Sequence, residues 1–154
     1  MSAAPGIRPV RPDDAPALRR MREEAGWDVE RVPEWIAASL RGERPTWVAE
    51  LDGKPVGMVS LEWVDADPEV ADGKEVAAVT SLSVLAAAAR RGIGRTLTVF
   101  AEERARARGV RVLTLNTRPT NAAALALYEG LGYRRWKEQD RSWGRALYLR
   151  KSLR

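Results

Sequence analysis

Apolar and polar positions change period several times along the chain, and each change predicts an element. The segment "GIRPVR" (6–11) is short and partly β-like. "PDDAPALRRMREEAG" follows, with Leu18 and Met21 three apart among charged residues, as on the inner face of a helix. Asp13 or Asp14 is its N-cap candidate and Gly26 closes it. "VPEWIAASLRG" reads as a second short helix begun by Pro33 and stopped at Gly42. The period then shortens to two. "TWVAEL" and "PVGMVSLEWV" flank Asp52-Gly53, the strongest hairpin signal in the chain. An acidic loop carries Asp65, Asp67, Glu69, Asp72 and Glu75, and "VAAVTSLSV" (76–84) is apolar enough to be a central strand.

From Ile93 to about Arg108 the helical period returns, with Leu97, Phe100, Ala101 and Ala105 inward and Glu102, Arg106 and Arg108 outward. Gly109 ends that helix. "VRVLTLNT" is a strand, "NAAALALYEGLG" a short helix stopped at Gly130 or Gly132, and "YRRWKEQ" and "RALYLRKSL" are closing strands. The order β-α-α-β-β-β-α-β-α-β-β mixes hairpins with crossover helices, so the class is α+β around one largely antiparallel sheet. No repeat or linker interrupts it, and residues 1–5 and 152–154 are expected to fray.

Composition adds exclusions. At 154 residues, 45% hydrophobic and 31% charged, the chain suits one soluble globular domain. No apolar run approaches the roughly 18 residues of a membrane span. "MSAAPGIRPVRPDD" has no apolar core of a secretory signal, so a cytoplasmic protein is expected. Cys and His are both zero. That removes disulfides, thiolate and imidazole metal sites, cysteine nucleophiles and the commonest general base, and no metal is expected. Chemistry must run on carboxylates, Tyr, Ser/Thr, Lys, backbone amides and water. A net charge of +5 favours an anionic partner, either nucleic acid or a phosphorylated cofactor. The arginines are spread through the chain and many aromatics sit in apolar runs, so a nucleic-acid partner is not expected.

Between the strand ending at Val84 and the helix beginning near Ile93 lies "ARRGIGR". Unpaired N–H groups at a helix N-terminus and the helix dipole favour an anion. Glycine at 92 and 94 removes Cβ atoms that would hold a phosphate away, and Arg90, Arg91 and Arg95 add positive charge. The common nucleotide loops fit poorly: there is no G-x-x-x-x-G-K-[ST], and only two of the three dinucleotide-fingerprint glycines are present. Taken alone, the segment also reads as a turn with solvated arginines.

The second half of the chain decides between these. Together, "VLAAAARRGIGRTL" and "NAAALALYEGLGY" closely resemble the GNAT N-acetyltransferase superfamily. There an (Arg/Gln)-x-x-Gly-x-(Gly/Ala) turn binds the pyrophosphate of acetyl-CoA, and an N-x-x-A-x-x-L-Y-E-x-L-G-[FY] helix lines the cofactor. Asn121, Ala124, Leu127, Tyr128, Glu129, Leu131, Gly132 and Tyr133 meet the second pattern throughout. In the first, Ala89 stands at the Arg/Gln position with Arg90 one step later, while the amides of residues 91 to 95 can still take the phosphates.

The resemblance covers nearly the whole chain and implies one N-acetyltransferase domain over residues 1–154. It implies the acyl-CoA N-acyltransferase fold: a mixed, largely antiparallel sheet with helices on both faces and a parallel strand pair splayed after a bulge. Leu82, Ser83 and Val84 would pair with the pantetheine arm like an added strand, and an amide near Val84 would polarise the thioester carbonyl. Arg90, Arg91, Gly92, Ile93, Gly94 and Arg95 would hold the pyrophosphate, with Asn121 and Ala124 against the arm. Without Cys, the acetyl group passes by direct attack of a primary amine in a ternary complex, leaving CoA. Tyr128 is the candidate acid: a phenol of pKa about 10 can protonate a thiolate whose acid lies near 8.5. Glu75 and Glu62 are the candidate bases, acting through water. Trp27, Trp35, Trp63 and Trp143 fall in segments flanking the acceptor cleft in relatives and suit a cationic amine, with the acidic loop steering it in. The acceptor is a small-molecule amine or a protein N-terminus, with no membrane partner; homodimerisation stays open. A non-catalytic acyl-CoA-binding regulatory domain is the alternative, and the presence of Tyr128 argues against it.

Overall fold

In a computed structural model, residues 5–153 are described. Their elements follow the predicted order: β1 (Gly6–Pro9), α1 (Ala15–Glu24), α2 (Val32–Leu40), β2 (Thr46–Leu51), β3 (Lys54–Glu62), β4 (Val76–Val84), α3 (Ile93–Ala107), β5 (Val112–Thr117), α4 (Ala122–Gly130), β6 (Arg134–Arg141) and β7 (Gly144–Ser152). The strands run β1-β2-β3-β4-β5-β7-β6 in one mixed sheet. β1–β2, β2–β3, β5–β7 and β6–β7 are antiparallel, whereas β4 and β5 are parallel. The parallel ladder is short, from Val76↔Val112 to Ala78↔Thr114.

The chain forms two compact units, Met1–Leu61 with Ser81–Ala101 and Glu62–Thr80 with Glu102–Arg154. In the first, α1 and α2 bury Leu18, Met21, Val32 and Ile36 against Val10, Val48 and Met58. Each such side chain contributes about 1.5–3 kcal/mol on burial. The β2–β3 hairpin turns at Asp52 and Gly53 with φ of 52° and 74°, the two positive values a type I′ turn requires. Asp14 does not cap α1 with its side chain. Its buried carboxylate accepts two 2.8 Å bonds from Arg8 and a 2.7 Å bond from the Arg11 N–H, closing the single 3₁₀ turn before α1.

In the second unit Val70, Ala71, Ala78, Ala146 and Tyr148 form a small core edged by Trp136 and Trp143. One expectation fails there, and a second fails at Ser152 and Leu153 alone. Glu102 is buried, not outward, with Lys151 Nζ at 2.9 and 3.1 Å from its carboxylate oxygens. The expected fraying of residues 1–5 and 152–154 falls outside the described residues for 1–4 and 154. Ser152, however, pairs with Val112 in β7, and buried Leu153 donates its N–H to Arg111 O at 2.7 Å.

Candidate active site

In the first unit the interest lies at the end of β4 and in the turn beyond it. Ser81 sits inside the strand with φ of 54°. For an L-residue that left-handed conformation costs about 1–2 kcal/mol, so its surroundings must hold it. Its Oγ accepts a 2.8 Å bond from Arg44 Nη2, while Arg44 Nη1 donates to Ser60 Oγ at 2.9 Å and Ser60 Oγ bonds Thr46 Oγ1 at 2.7 Å. The Arg44 guanidinium is buried and lies 4.3 Å from the Trp35 ring centre.

Past Val84, Leu85 N–H donates to Val56 O at 2.8 Å and Ala86 N–H to the Glu24 carboxylate at 2.8 Å. Arg90 and Gly92 then take φ of 65° and 74°, and α3 begins at Ile93. A Cβ on Gly92 would meet no atom within 4 Å, so glycine is needed there for its backbone conformation and the space above it is open. Thr96 bonds Gly92 O through its N–H (3.0 Å) and Oγ1 (2.9 Å), and Thr98 Oγ1 bonds Gly94 O at 2.7 Å. Ile93 is buried as the anchor of the turn, whereas Arg90, Arg91 and Arg95 are exposed. An open left-handed turn, a helix N-terminus and three exposed cations fit a phosphorylated group.

Gly57 on β3 has a different purpose. A Cβ there would stand 3.0 Å from Leu97 Cδ1, 3.1 Å from Ile93 Cγ2 and 3.3 Å from Ser83 O. Its absence lets β3, the end of β4 and the first turn of α3 come together.

In the second unit, the motif helix α4 is capped by Asn121, whose Oδ1 accepts the Ala124 N–H at 3.1 Å. Along this helix Asn121 is exposed, Ala124 half-buried and Tyr128 buried. Burial pushes the Tyr128 phenol up to about 12. Its ring lies 6.1 Å edge-to-face from Tyr133, and Tyr133 N–H bonds Tyr128 O at 3.0 Å across the left-handed Gly132. Among the described residues the buried Tyr133 hydroxyl has no hydrogen-bond partner. Its phenol is raised by burial first and then by the Glu102 charge. The motif carboxylate Glu129 holds Arg135 at 3.0 Å on the surface.

The two candidate bases differ in setting. Glu75 is exposed, 3.8 Å from Arg111 Nε, and precedes the first residue of β4. Glu62 is half-buried at the last position of β3. The four tryptophans fall two in each unit. Trp27 and Trp35 share Arg22, whose guanidinium carbon lies 5.8 and 4.5 Å from their ring centres. Trp63 lies under Arg108 at 4.1 Å, and Trp143 packs on the Tyr148 core. The rings are thus met by the chain's own cations.

The acidic loop is occupied as well. Asp67 accepts from Lys137 Nζ at 2.7 Å, from Gln139 at 3.2 Å and from Glu69 N–H at 2.9 Å, which hold its carboxyl down at about 2. Asp65 pairs with Arg141 at 3.7 Å, and Asp72 accepts the N–H groups of Lys74, Glu75 and Val76. The loop is a strap tied to β6, not the free acidic patch expected for steering. Among the described residues no cluster of three or more His, Cys, Asp or Glu offers a metal site, and no helix is long and apolar enough to cross a membrane.

Periodicity and motif spacing do not point to Arg44, Ser81 or Arg22. The signal available was a serine pair interrupting the apolar run 76–84; the partner of Ser81 lies 37 residues away.

A mixed sheet with one parallel pair, four helices, and a glycine turn opening α3 define an acyl-CoA N-acyltransferase fold. The profile of the acetyltransferase (GNAT) family matches residues 13–133, and the chain belongs to that family. It is 30% identical over 125 residues to a mycothiol acetyltransferase of Rhodococcus erythropolis, an alignment covering 81% of this chain and 42% of that protein. The chain spans about two fifths of the length of the curated relatives it matches. Among solved structures, a ribosomal-protein-alanine N-acetyltransferase from Brucella melitensis superposes with a TM-score of 0.80 at 27% identity, covering 96% of this chain and 99% of that one. A Salmonella typhimurium protein solved with its cofactor acetyl-CoA shares the fold, with a TM-score of 0.81 at 20% identity over 99% of this chain and 95% of that one.

Proposed function

We propose that this chain is an acetyl-CoA-dependent N-acetyltransferase that moves an acetyl group to a primary amine by direct attack within a ternary complex. Family membership and the open turn before α3 support the cofactor, which supplies the acetyl group as an activated thioester. The observation that carries the catalytic reading is the place of Tyr128, a buried tyrosine on the motif helix. Burial raises its phenol to about 12, so it is a weaker acid than a free phenol and donates only as negative charge builds on the sulfur. At neutral pH it holds its proton at Oη and can donate it to a departing sulfur.

The remaining roles follow the family pattern. The backbone amides of residues 91–95, with Arg90, Arg91 and Arg95, hold the pyrophosphate. The amide and carbonyl groups of Leu82, Ser83 and Val84 pair with the arm, and the Val84 amide donates to the reacting carbonyl oxygen. Asn121, through the amide nitrogen that capping leaves available, and Ala124 contact the same arm. Glu62 or Glu75 takes the amine proton through water. Residues 1–154 form one acetyltransferase domain acting in the cytoplasm. The acceptor is a small amine, with Trp27, Trp35, Trp63 or Trp143 beside it, or a protein N-terminus; the Brucella relative is named for a ribosomal-protein alanine.

Calorimetric titration of acetyl-CoA and CoA, followed by a thiol-release assay across small amines and peptides with N-terminal alanine, tests this reading. Micromolar binding with turnover is expected. Tyr128→Phe should lower kcat about 100-fold, the usual worth of a general acid, with CoA affinity nearly unchanged. Binding without turnover on any amine would favour an acyl-CoA-binding regulator, and no binding would reduce the glycine segment to a turn.

A further inference from the structure

We propose that Arg44 is a positioning residue for the cofactor: it holds the left-handed Ser81, and through it the course of Leu82–Val84. This inference rests on the acetyl-CoA reading above. Serine has little tendency of its own to adopt φ of 54° inside a strand. The Arg44 fork supplies the missing restraint. One arm donates to Ser81 Oγ at 2.8 Å and the other to Ser60 Oγ at 2.9 Å, so the neighbouring strands β3 and β4 share one planar group.

That group is itself fixed. Trp35 lies 4.3 Å from the guanidinium, Thr46 Oγ1 bonds Ser60 at 2.7 Å, and Arg44, Thr46 and Ser60 are all buried. A lysine cannot replace it, since a single ammonium does not reproduce the forked planar geometry. The next three residues carry the backbone groups assigned to the pantetheine arm. Losing the tether therefore lets β4 straighten and re-aim those amides.

Acetyl-CoA and CoA titrations of the folded chain test this, with thermal melts alongside. Ser81→Ala and Arg44→Met should each weaken CoA binding about 10-fold, as expected for one lost charge-assisted hydrogen bond. The double variant should be no weaker than either single one, because the two act through one contact. Ser81→Asn tolerates the left-handed conformation and offers a carbonyl to Arg44, so it should bind within about 3-fold of wild type. Ser81→Gly, which keeps the conformation without the tether, should fall between. Should Arg44→Met not fold, the Ser81 series alone decides whether the tether positions the cofactor. Asp67→Asn, distant in sequence and tied to β6, is the control: it lowers the melting temperature without weakening CoA. Wild-type binding with Ser81→Ala and Arg44→Met equally tight would overturn the positioning role while the acetyltransferase reading stands. Absence of wild-type binding would overturn both.

Discussion

Tyr128 shows how burial alone prepares a side chain for one protonation state. Nothing charged is needed to push its phenol up to about 12; exclusion of water disfavours the phenolate. Two measurements follow. In the pH profile of turnover, Tyr128 should produce no descending limb below about pH 11, and any rise across neutral pH belongs to the amine or its base. A descending limb near pH 9 that disappears in Tyr128→Phe would contradict the burial argument. Stability carries the same sign. The unfolded phenol ionises near pH 10 and the folded one near 12, so the contribution is whole below about pH 10 and is lost as pH rises through 12. Alkaline melts of wild type and Tyr128→Phe should therefore diverge only above about pH 10.

Gly57 illustrates the scale of elements, where strands and helices approach because one side chain is missing. An alanine there meets two core methyls at 3.0 and 3.1 Å and a main-chain oxygen at 3.3 Å, and the last cannot move without moving β4. Gly57→Ala should cost about 1–3 kcal/mol by overpacking, read from the denaturant midpoint, and should also raise the KM for acetyl-CoA. Loss of stability with an unchanged KM would mean that α3 and β4 absorb the added methyl elsewhere. The strap on β6 makes a second case. Asp67, held at about 2 by Lys137, adds stability above the ordinary Asp value near 4 and loses it as pH falls through 2. Because the pair is partly exposed, Asp67→Asn should cost no more than about 1 kcal/mol at pH 7. The gap between the two melting curves should close between pH 4 and 2; a gap constant with pH would show that the carboxylate charge is not the source.

At the scale of the whole molecule, what could be read from sequence is what is local. The Asp52-Gly53 hairpin, the helical spacing of Leu97, Ala101 and Ala105, and the Gly92 turn each have their cause within a few residues. What escaped has its cause far away along the chain. Glu102 looks solvent-facing until Lys151 comes to it across 49 residues, and the acidic loop looks free until Lys137 comes to Asp67 across 70. Such partners follow from strand order, which periodicity does not encode. The same long-range dependence bears on how the chain unfolds. β4 and α3 each run from one compact unit into the other, so neither unit contains whole elements only. Separate melting would break a strand and a helix in mid-course, which is why one domain is proposed. Calorimetry should give a single transition, moved upward as a whole by acetyl-CoA. At 100 times Kd the ligand adds about 2.7 kcal/mol, or roughly 5–10 °C for a chain of this size. Two transitions of which acetyl-CoA moves only one would instead define two separate domains and place the cofactor groups on one of them.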